Sequence, residues 1–179
     1  GNPLVAQERW TLAVERGTRN PAIFRELALM ESRSWFSSFD PYFRMPADAA
    51  ERLRGYLKRA IEYSPHQTDA YEMLAWVEAF APTPSIANVM LVQKRYEDLT
   101  RKDRTTLALA LVRVRLNLKD EALGMLADLE KLEPEPWVAS CIEITRAYLE
   151  GRPVNREKLK ELDARVTAPG QPKSPAGGN

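Results

Sequence analysis

Apolar residues recur at helical spacing along most of the chain, and prolines interrupt the pattern at intervals. An apolar face that includes Leu53 and Leu57 ends with Tyr63, and Pro65 disfavours helical geometry at the residue before it. A second apolar face begins at Tyr71, after only a few turn residues. Because so short a turn brings consecutive helices together as antiparallel neighbours, residues around this turn are predicted to form a helical hairpin.

The same pattern, followed from one end of the chain to the other, predicts an all-α fold of about nine helices and no strand. The predicted helices span residues 4–16, 21–35, 47–63, 68–80, 85–99, 105–116, 121–132, 137–149 and 155–166. Thr68 or Asp69 is expected to cap the fourth helix, and Asp103 the sixth, because these side chains accept hydrogen bonds from free helix amides. Residues 1–166 are interpreted as one helical domain, and residues 167–179, rich in Pro and Gly, as a disordered tail.

Internal repeats are indicated by a spacing of 34 to 35 residues. Pro65 and Pro134 lie 69 residues apart, which is one interval of 34 and one of 35. Small residues are expected where two helices cross closely, and they recur in phase at Ala75, Ala110, Ala87 and Ala122. Pro21 and Pro65 lie 44 residues apart, ten more than 34, so residues 36–46 are interpreted as an insertion within the first full repeat.

Over about residues 47–150 the chain resembles the tetratricopeptide repeat family, with degenerate repeats. The family's pattern places an aromatic residue, a Leu-Gly pair, Ala-x-x-x-Phe and a proline over about 34 residues, and in this chain Ala replaces the Gly and Leu replaces the Phe. One repeat is matched by Tyr71, Leu74-Ala75 and Ala87 to Leu91, and the next by Leu109-Ala110, Ala122 to Leu126 and Pro134. The resemblance implies a right-handed α-α superhelix, a solenoid whose concave groove binds a peptide or protein segment.

Residues that could carry catalysis are scarce. His66 is the only histidine and stands in the turn after Pro65, so a two-His metal site or a Ser-His pair lacks members. Cys141 is the only cysteine and falls on an apolar helix face with Trp137 and Tyr148, which favours a packing role over a nucleophilic one. We therefore predict no enzyme activity, no metal and no cofactor.

In tetratricopeptide repeats the first helix of each pair lines the concave side, and its offset positions face the groove. The resemblance implies these groove residues: Arg25, Ser32, Trp35, Asp69, Glu72, Trp76, Arg104, Leu107, Leu111 and Arg115. Trp35 and Trp76, rimmed by arginines, indicate either an apolar groove with charged edges or the filled inner side of a short superhelix. The insertion carries Phe39, Tyr42 and Phe43, which either fold back over the groove or fill the gap between hairpins.

Composition and charge narrow the class of partner. A chain of 179 residues that is 44% hydrophobic and 28% charged is ordinary for a soluble globular domain. A net charge of +1 argues against a nucleic-acid partner, and no apolar run approaches the length of a membrane span. We expect a non-catalytic scaffold that binds a protein or peptide. The alternative is a structural accessory or dimerisation domain, with a homodimer left open.

The chain begins with Gly1-Asn2-Pro3, which includes neither an initiator Met nor the start of a signal peptide. We expect the chain to be a fragment of a larger, bacterial-type protein. If it is an accessory or dimerisation domain, we expect the catalytic part of that protein to lie outside this chain. Its compartment stays open between the cytoplasm and an extracytoplasmic space.

Overall fold

A computed structural model describes residues 3–36, 39–154 and 157, and within them the chain is all-helical, as predicted, without a strand. Its α-helices are α1 (Pro3–Glu15), α2 (Pro21–Arg33), α3 (Ala47–Tyr63), α4 (Thr68–Phe80), α5 (Ile86–Lys94), α6 (Lys102–Arg115), α7 (Lys119–Lys131) and α8 (Pro136–Leu149). The predicted ninth helix (155–166), apart from residue 157, and the predicted tail (167–179) lie outside the described residues. The all-α class is therefore confirmed, with eight α-helices in the described part of the chain where the sequence predicts about nine in the whole.

The predicted helix ends agree best with the structure where a proline determines them. Both α3 and α4 have the predicted bounds, on either side of the turn at Pro65. The predicted caps are wrong, because α4 and α6 have Gln67 and Arg101 at their N-caps and neither helix has a side-chain cap bond. The helix predicted for 85–99 is also shorter, since α5 ends at Lys94 and a 3-10 helix, Tyr96–Asp98, follows.

Each packed pair of α-helices is either consecutive in the chain or next but one. The packed neighbours are α1 on α2, α2 on α3, α3 on α4, α4 on α5, α6 on α7 and α7 on α8, together with α4 on α6 and α6 on α8. The helices α4, α6 and α8 begin at Thr68, Lys102 and Pro136, so each begins 34 residues after the one before. One continuous buried cluster, from Phe24 to Ile144, runs through this packing.

A buried polar network fixes the turn between α4 and α5. The Glu78 carboxylate is fully buried and accepts two hydrogen bonds from the Arg54 guanidinium of α3, at 2.9 and 2.6 Å. It also accepts from the Ser85 amide at 2.7 Å and from the Asn88 side-chain amide at 2.6 Å. Because each carboxylate oxygen has two donors, the charge is satisfied without water.

Candidate functional site

An aromatic segment, residues 39–46 (FDPYFRMP), lies against α4, α6 and α8. Its first ring, Phe39, is 2% exposed and meets the edges of two tryptophans. The ring centroids lie 6.4 Å from Trp76 on α4 and 6.1 Å from Trp137 on α8, both in T-shaped geometry. The two tryptophans also contact each other at 6.0 Å. Phe39 therefore occupies a slot built by helices whose sequences are far apart.

The rest of the segment continues along the same helices. Phe43 lies 5.8 Å from Phe80 on α4 and 6.5 Å from Trp35, which follows α2. Tyr42 meets Tyr148 on α8 at 4.5 Å in a T-shaped contact, yet is 57% exposed. We call the surface formed by α4, α6 and α8 beneath residues 39–46 the segment face.

A proline turn shapes the segment from within. The Asp40 carbonyl accepts from the Phe43 amide at 3.1 Å, and the Asp40 carboxylate accepts from the Tyr42 amide at 2.8 Å. Asp at the first position and Pro41 at the second are the residues that such a turn favours. The turn thereby separates the two rings, with Phe39 just before it and Phe43 at its end.

Among the described residues, three hydrogen bonds join the backbone of the segment to the helices. The Pro46 carbonyl accepts from the Ala50 amide of α3 at 3.0 Å, and the other two bonds lead to α4 and α6. The Met45 amide donates to the Phe80 carbonyl at 2.8 Å, and Arg115 Nη2 of α6 donates to the Phe43 carbonyl at 3.2 Å. Arg115 Nε also donates to the Ala79 carbonyl at 2.9 Å, in the last turn of α4. Side-chain burial, rather than backbone pairing, therefore supplies most of the segment's attachment.

Arg115 is an unusual cation, because no carboxylate of the described residues pairs with it. Its Nη1 is buried and has no hydrogen-bond partner there. Burial, followed by repulsion from Arg44, lowers the pKa of Arg115 to about 10. Arg44 itself donates from Nη1 to the carbonyls of Pro41, Tyr42 and Phe43, at 3.4, 3.2 and 2.8 Å. Two guanidinium groups thus stand at the segment with only carbonyl groups as partners.

Four of the predicted groove residues are instead buried within the helix packing. Leu107 and Leu111 are fully buried in α6, which contacts α4 on one side and α8 on another. Ser32 donates to the Leu29 carbonyl of its own helix at 2.8 Å. Glu72 is buried as well, and the prediction that these four side chains face an open groove is corrected accordingly.

Glu72 has a structural partner that explains its burial. Its carboxylate accepts from the amides of Thr100 and Arg101, at 3.0 and 2.9 Å, and pairs with the Arg101 guanidinium at 3.1 Å. These residues form the turn that enters α6, and α6 has no side-chain cap of its own. Glu72 therefore anchors the start of α6.

The other predicted charged residues already have partners. Arg25 pairs with Asp69 at 3.3 Å, which joins α2 to α4. Arg104 pairs with Glu135 and lies over the Trp137 ring, with its guanidinium carbon 5.0 Å from the centroid. Of the three predicted rim arginines, Arg115 is the one without a carboxylate partner in the described chain.

The structure brings together predicted and unpredicted residues at this site. Trp35, Trp76, Phe39 and Phe43 meet there, but the sequence reasoning missed Trp137, Phe80, Tyr148 and Arg44 as members. The 34-residue interval could have found Trp137, because two such steps from the predicted groove residue Asp69 lead to it. Nothing in the sequence pairs Tyr42 with Tyr148, since an irregular segment has no periodicity to project.

The two residues weighed for catalysis, His66 and Cys141, lie in different parts of the fold, one in the turn between α3 and α4 and the other in α8. His66 is exposed in its turn, with Arg95 Nη2 at 3.4 Å from Nδ1. Cys141 is a free, fully buried thiol in α8, and burial raises its pKa. In the part of the chain that the structure describes, no group of His, Cys, Asp or Glu could hold a metal ion.

We expect the Cys141 thiol to be unreactive in the folded chain, because only the thiolate attacks electrophiles and burial disfavours it. Ellman's reagent should therefore label Cys141 on the timescale of unfolding and label it fully in denaturant. Rapid stoichiometric labelling of the native chain, with unchanged circular dichroism, would show an accessible and activated thiol.

Across the described residues, no helix combines the length and apolar character that crossing a membrane requires. Comparison of the sequence with protein-family models gives no match, and comparisons with curated proteins and with solved structures give none either.

Proposed function

We propose that this chain is a non-catalytic protein-interaction scaffold of the tetratricopeptide type. In this proposal the helices stack as a right-handed superhelix, with α2, α4, α6 and α8 on its concave side. Support comes from the equal 34-residue steps between the starts of α4, α6 and α8, and from the packing of these helices on one another. The face that they form would hold a segment of a partner protein.

The observation that carries the proposal is the aromatic segment itself. Residues 39–46 have neither helix nor strand, yet their rings are seated between side chains of α4 and α8. A helical surface that holds an irregular segment by aromatic slots and by a cation is suited to holding a partner segment in the same way. Aromatic residues and arginine are also the residues that most often dominate the energy of protein interfaces.

The alternative, an accessory or dimerisation domain, is favoured by a different surface. On α1, Leu4, Val5 and Leu12 are exposed, although α1 packs on α2. An apolar helix face of this kind gains stability when another surface covers it. The two functions therefore predict different responses to substitution on α1 and on α4.

Selection from a random peptide library, with the full chain immobilised, tests the scaffold proposal. We expect selected peptides to bind with micromolar Kd, and Trp76→Ala to weaken them at least about tenfold, since loss of one interface anchor costs 1.4 kcal/mol or more. Leu12→Ala is the control and should leave their affinity unchanged. Circular dichroism establishes that both variants are folded.

Light scattering separates the two functions. Under the scaffold proposal the chain and both variants share one oligomeric state at the concentrations used for binding. A dimer that Leu12→Ala dissociates would favour the dimerisation domain. A dimer that Trp76→Ala dissociates would make the segment face a self-association surface, and the scaffold proposal would then fail.

A further inference from the structure

We infer that the segment face recognises a partner segment that resembles residues 39–46 in its phenylalanine and in a proline turn with a second aromatic ring, but that has a carboxylate where the segment has Arg44. Residues 39–46 are the resident occupant, which the partner displaces. This inference rests on the proposed function and names its partner class.

The slot for the first ring defines the aromatic requirement. Phe39 meets both Trp76 and Trp137 edge-on, a geometry in which aromatic rings attract each other beyond their burial alone. Arg104 lies over Trp137 and pairs with Glu135, so the wall of the slot is held in place from outside. An aliphatic side chain would lose the ring-edge contacts, and a charged one would be buried without a partner.

Arg115 defines the acidic requirement. While the segment is seated, Arg44 repels Arg115, and the attraction of Asp40 is only a minor contribution. Asp40 is occupied by the Tyr42 amide and is not within ion-pair distance of Arg115. Displacement of the segment removes Arg44 and the Phe43 carbonyl, so Arg115 faces the emptied surface with its Nη1 and Nη2 free to donate. A partner with a carboxylate where the segment has Arg44 would pair with it.

The segment is attached in a way that permits exchange. Two hydrogen bonds join its backbone to the segment face and a third, from the Ala50 amide to the Pro46 carbonyl, joins it to α3, whereas α6 packs directly on both α4 and α8. Parts of a protein with few backbone bonds to the rest open at a lower free energy than global unfolding. A tethered segment competes at an effective concentration on the order of 1 mM, so a free peptide must overcome that competition.

The test uses synthetic peptides with the sequence of residues 39–46, and the same sequence with Arg44→Glu, titrated into full chains by calorimetry. The receiving chains are the wild type, the Phe39→Ala/Phe43→Ala double variant that unseats the segment, and Tyr42→Ala as a control in the same segment. We expect the double variant to bind the native peptide at least about tenfold more tightly than the wild type, because the internal competitor is lost. Tyr42→Ala should match the wild type, since that ring is mostly exposed.

Two further comparisons make the chemistry specific. The Arg44→Glu peptide should bind the double variant at least about fivefold more tightly than the native peptide, and an added Arg115→Gln change should abolish that advantage. Replacing the peptide's first phenylalanine by alanine should weaken binding at least about tenfold. If the double variant does not fold, the wild-type chain is titrated with the Arg44→Glu peptide to several millimolar, where saturation with its phenylalanine dependence is still expected.

The inference is overturned if neither peptide saturates a folded chain, or if affinity is indifferent to the peptide's phenylalanine and to Arg115. It is also overturned if the segment face is occupied by a second copy, seen as a dimer that the peptides do not dissociate. Library peptides of other chemistry that bind through Trp76 would then leave the scaffold proposal standing. If no peptide binds in a way that depends on Trp76, both the scaffold proposal and this inference are contradicted.

Discussion

Replacement of Glu78 by alanine is expected to lower the free energy of unfolding by about 3–5 kcal/mol, the cost typical of removing one member of a buried ion pair. The Glu78 carboxylate is 0% exposed and receives donors from α3, from the turn after α4 and from α5. Without it, the Arg54 guanidinium, the Ser85 amide and the Asn88 amide lose their acceptor together. Urea unfolding followed by circular dichroism measures the change.

Glu51 offers a matched control, because it also pairs with Arg54 but its side chain is 70% exposed. Glu51→Ala should cost at most about 1 kcal/mol, since water screens an exposed pair. For a domain of this size the Glu78 change should lower the Tm by about 10 °C, and the Glu51 change by no more than about 4 °C. Equal losses at the two positions would show that the energy of the network does not depend on burial.

The Glu78 network illustrates which parts of the fold the sequence can predict and which it cannot. The bounds of α3 and α4 follow from the residues at their ends, because Pro65 acts on its immediate neighbour. The Arg54–Glu78 pair joins residues 24 apart and depends on how α3 packs on α4, which local pattern does not specify. The sequence shows two charged residues on amphipathic helices, and nothing there distinguishes them from solvated ones.

The predicted N-caps are wrong for a related reason. A local Asp or Thr is the usual acceptor for helix amides, so Asp103 is a reasonable prediction for α6. In the folded chain Asp103 instead accepts from the adjacent Arg104 amide at 2.7 Å, within the first turn. Glu72, on α4, accepts from the turn before α6. A tertiary acceptor replaced the local one, and only the packing of α4 on α6 could reveal it.

At the candidate site, residue type is more predictable than residue contact. The aromatic composition of the insertion and the presence of Trp35 and Trp76 indicate that large apolar surfaces must be covered. Which surface covers them depends on a proline turn that points Phe39 toward α8, some 100 residues further along the chain. Long-range contacts of an irregular segment carry no period, so no sequence pattern predicts them.

Leu111→Ala tests whether Leu111 is a core residue or a groove residue. As a core residue, its truncation is expected to lower the free energy of unfolding by about 2–5 kcal/mol. The Leu111 side chain is 0% exposed in α6, which packs on α4, α7 and α8, so truncation leaves a cavity that helices can only partly close. Leu132→Ala is the matched control, because Leu132 is 76% exposed and its truncation should change stability by less than about 0.5 kcal/mol. If Leu111→Ala instead left stability unchanged and weakened a bound peptide, Leu111 would line the partner surface and α6 would present a different face to it. The expected loss of stability would show that Leu111 packs beneath the segment face. Leu111 would then support Arg115 and would not contact a partner itself.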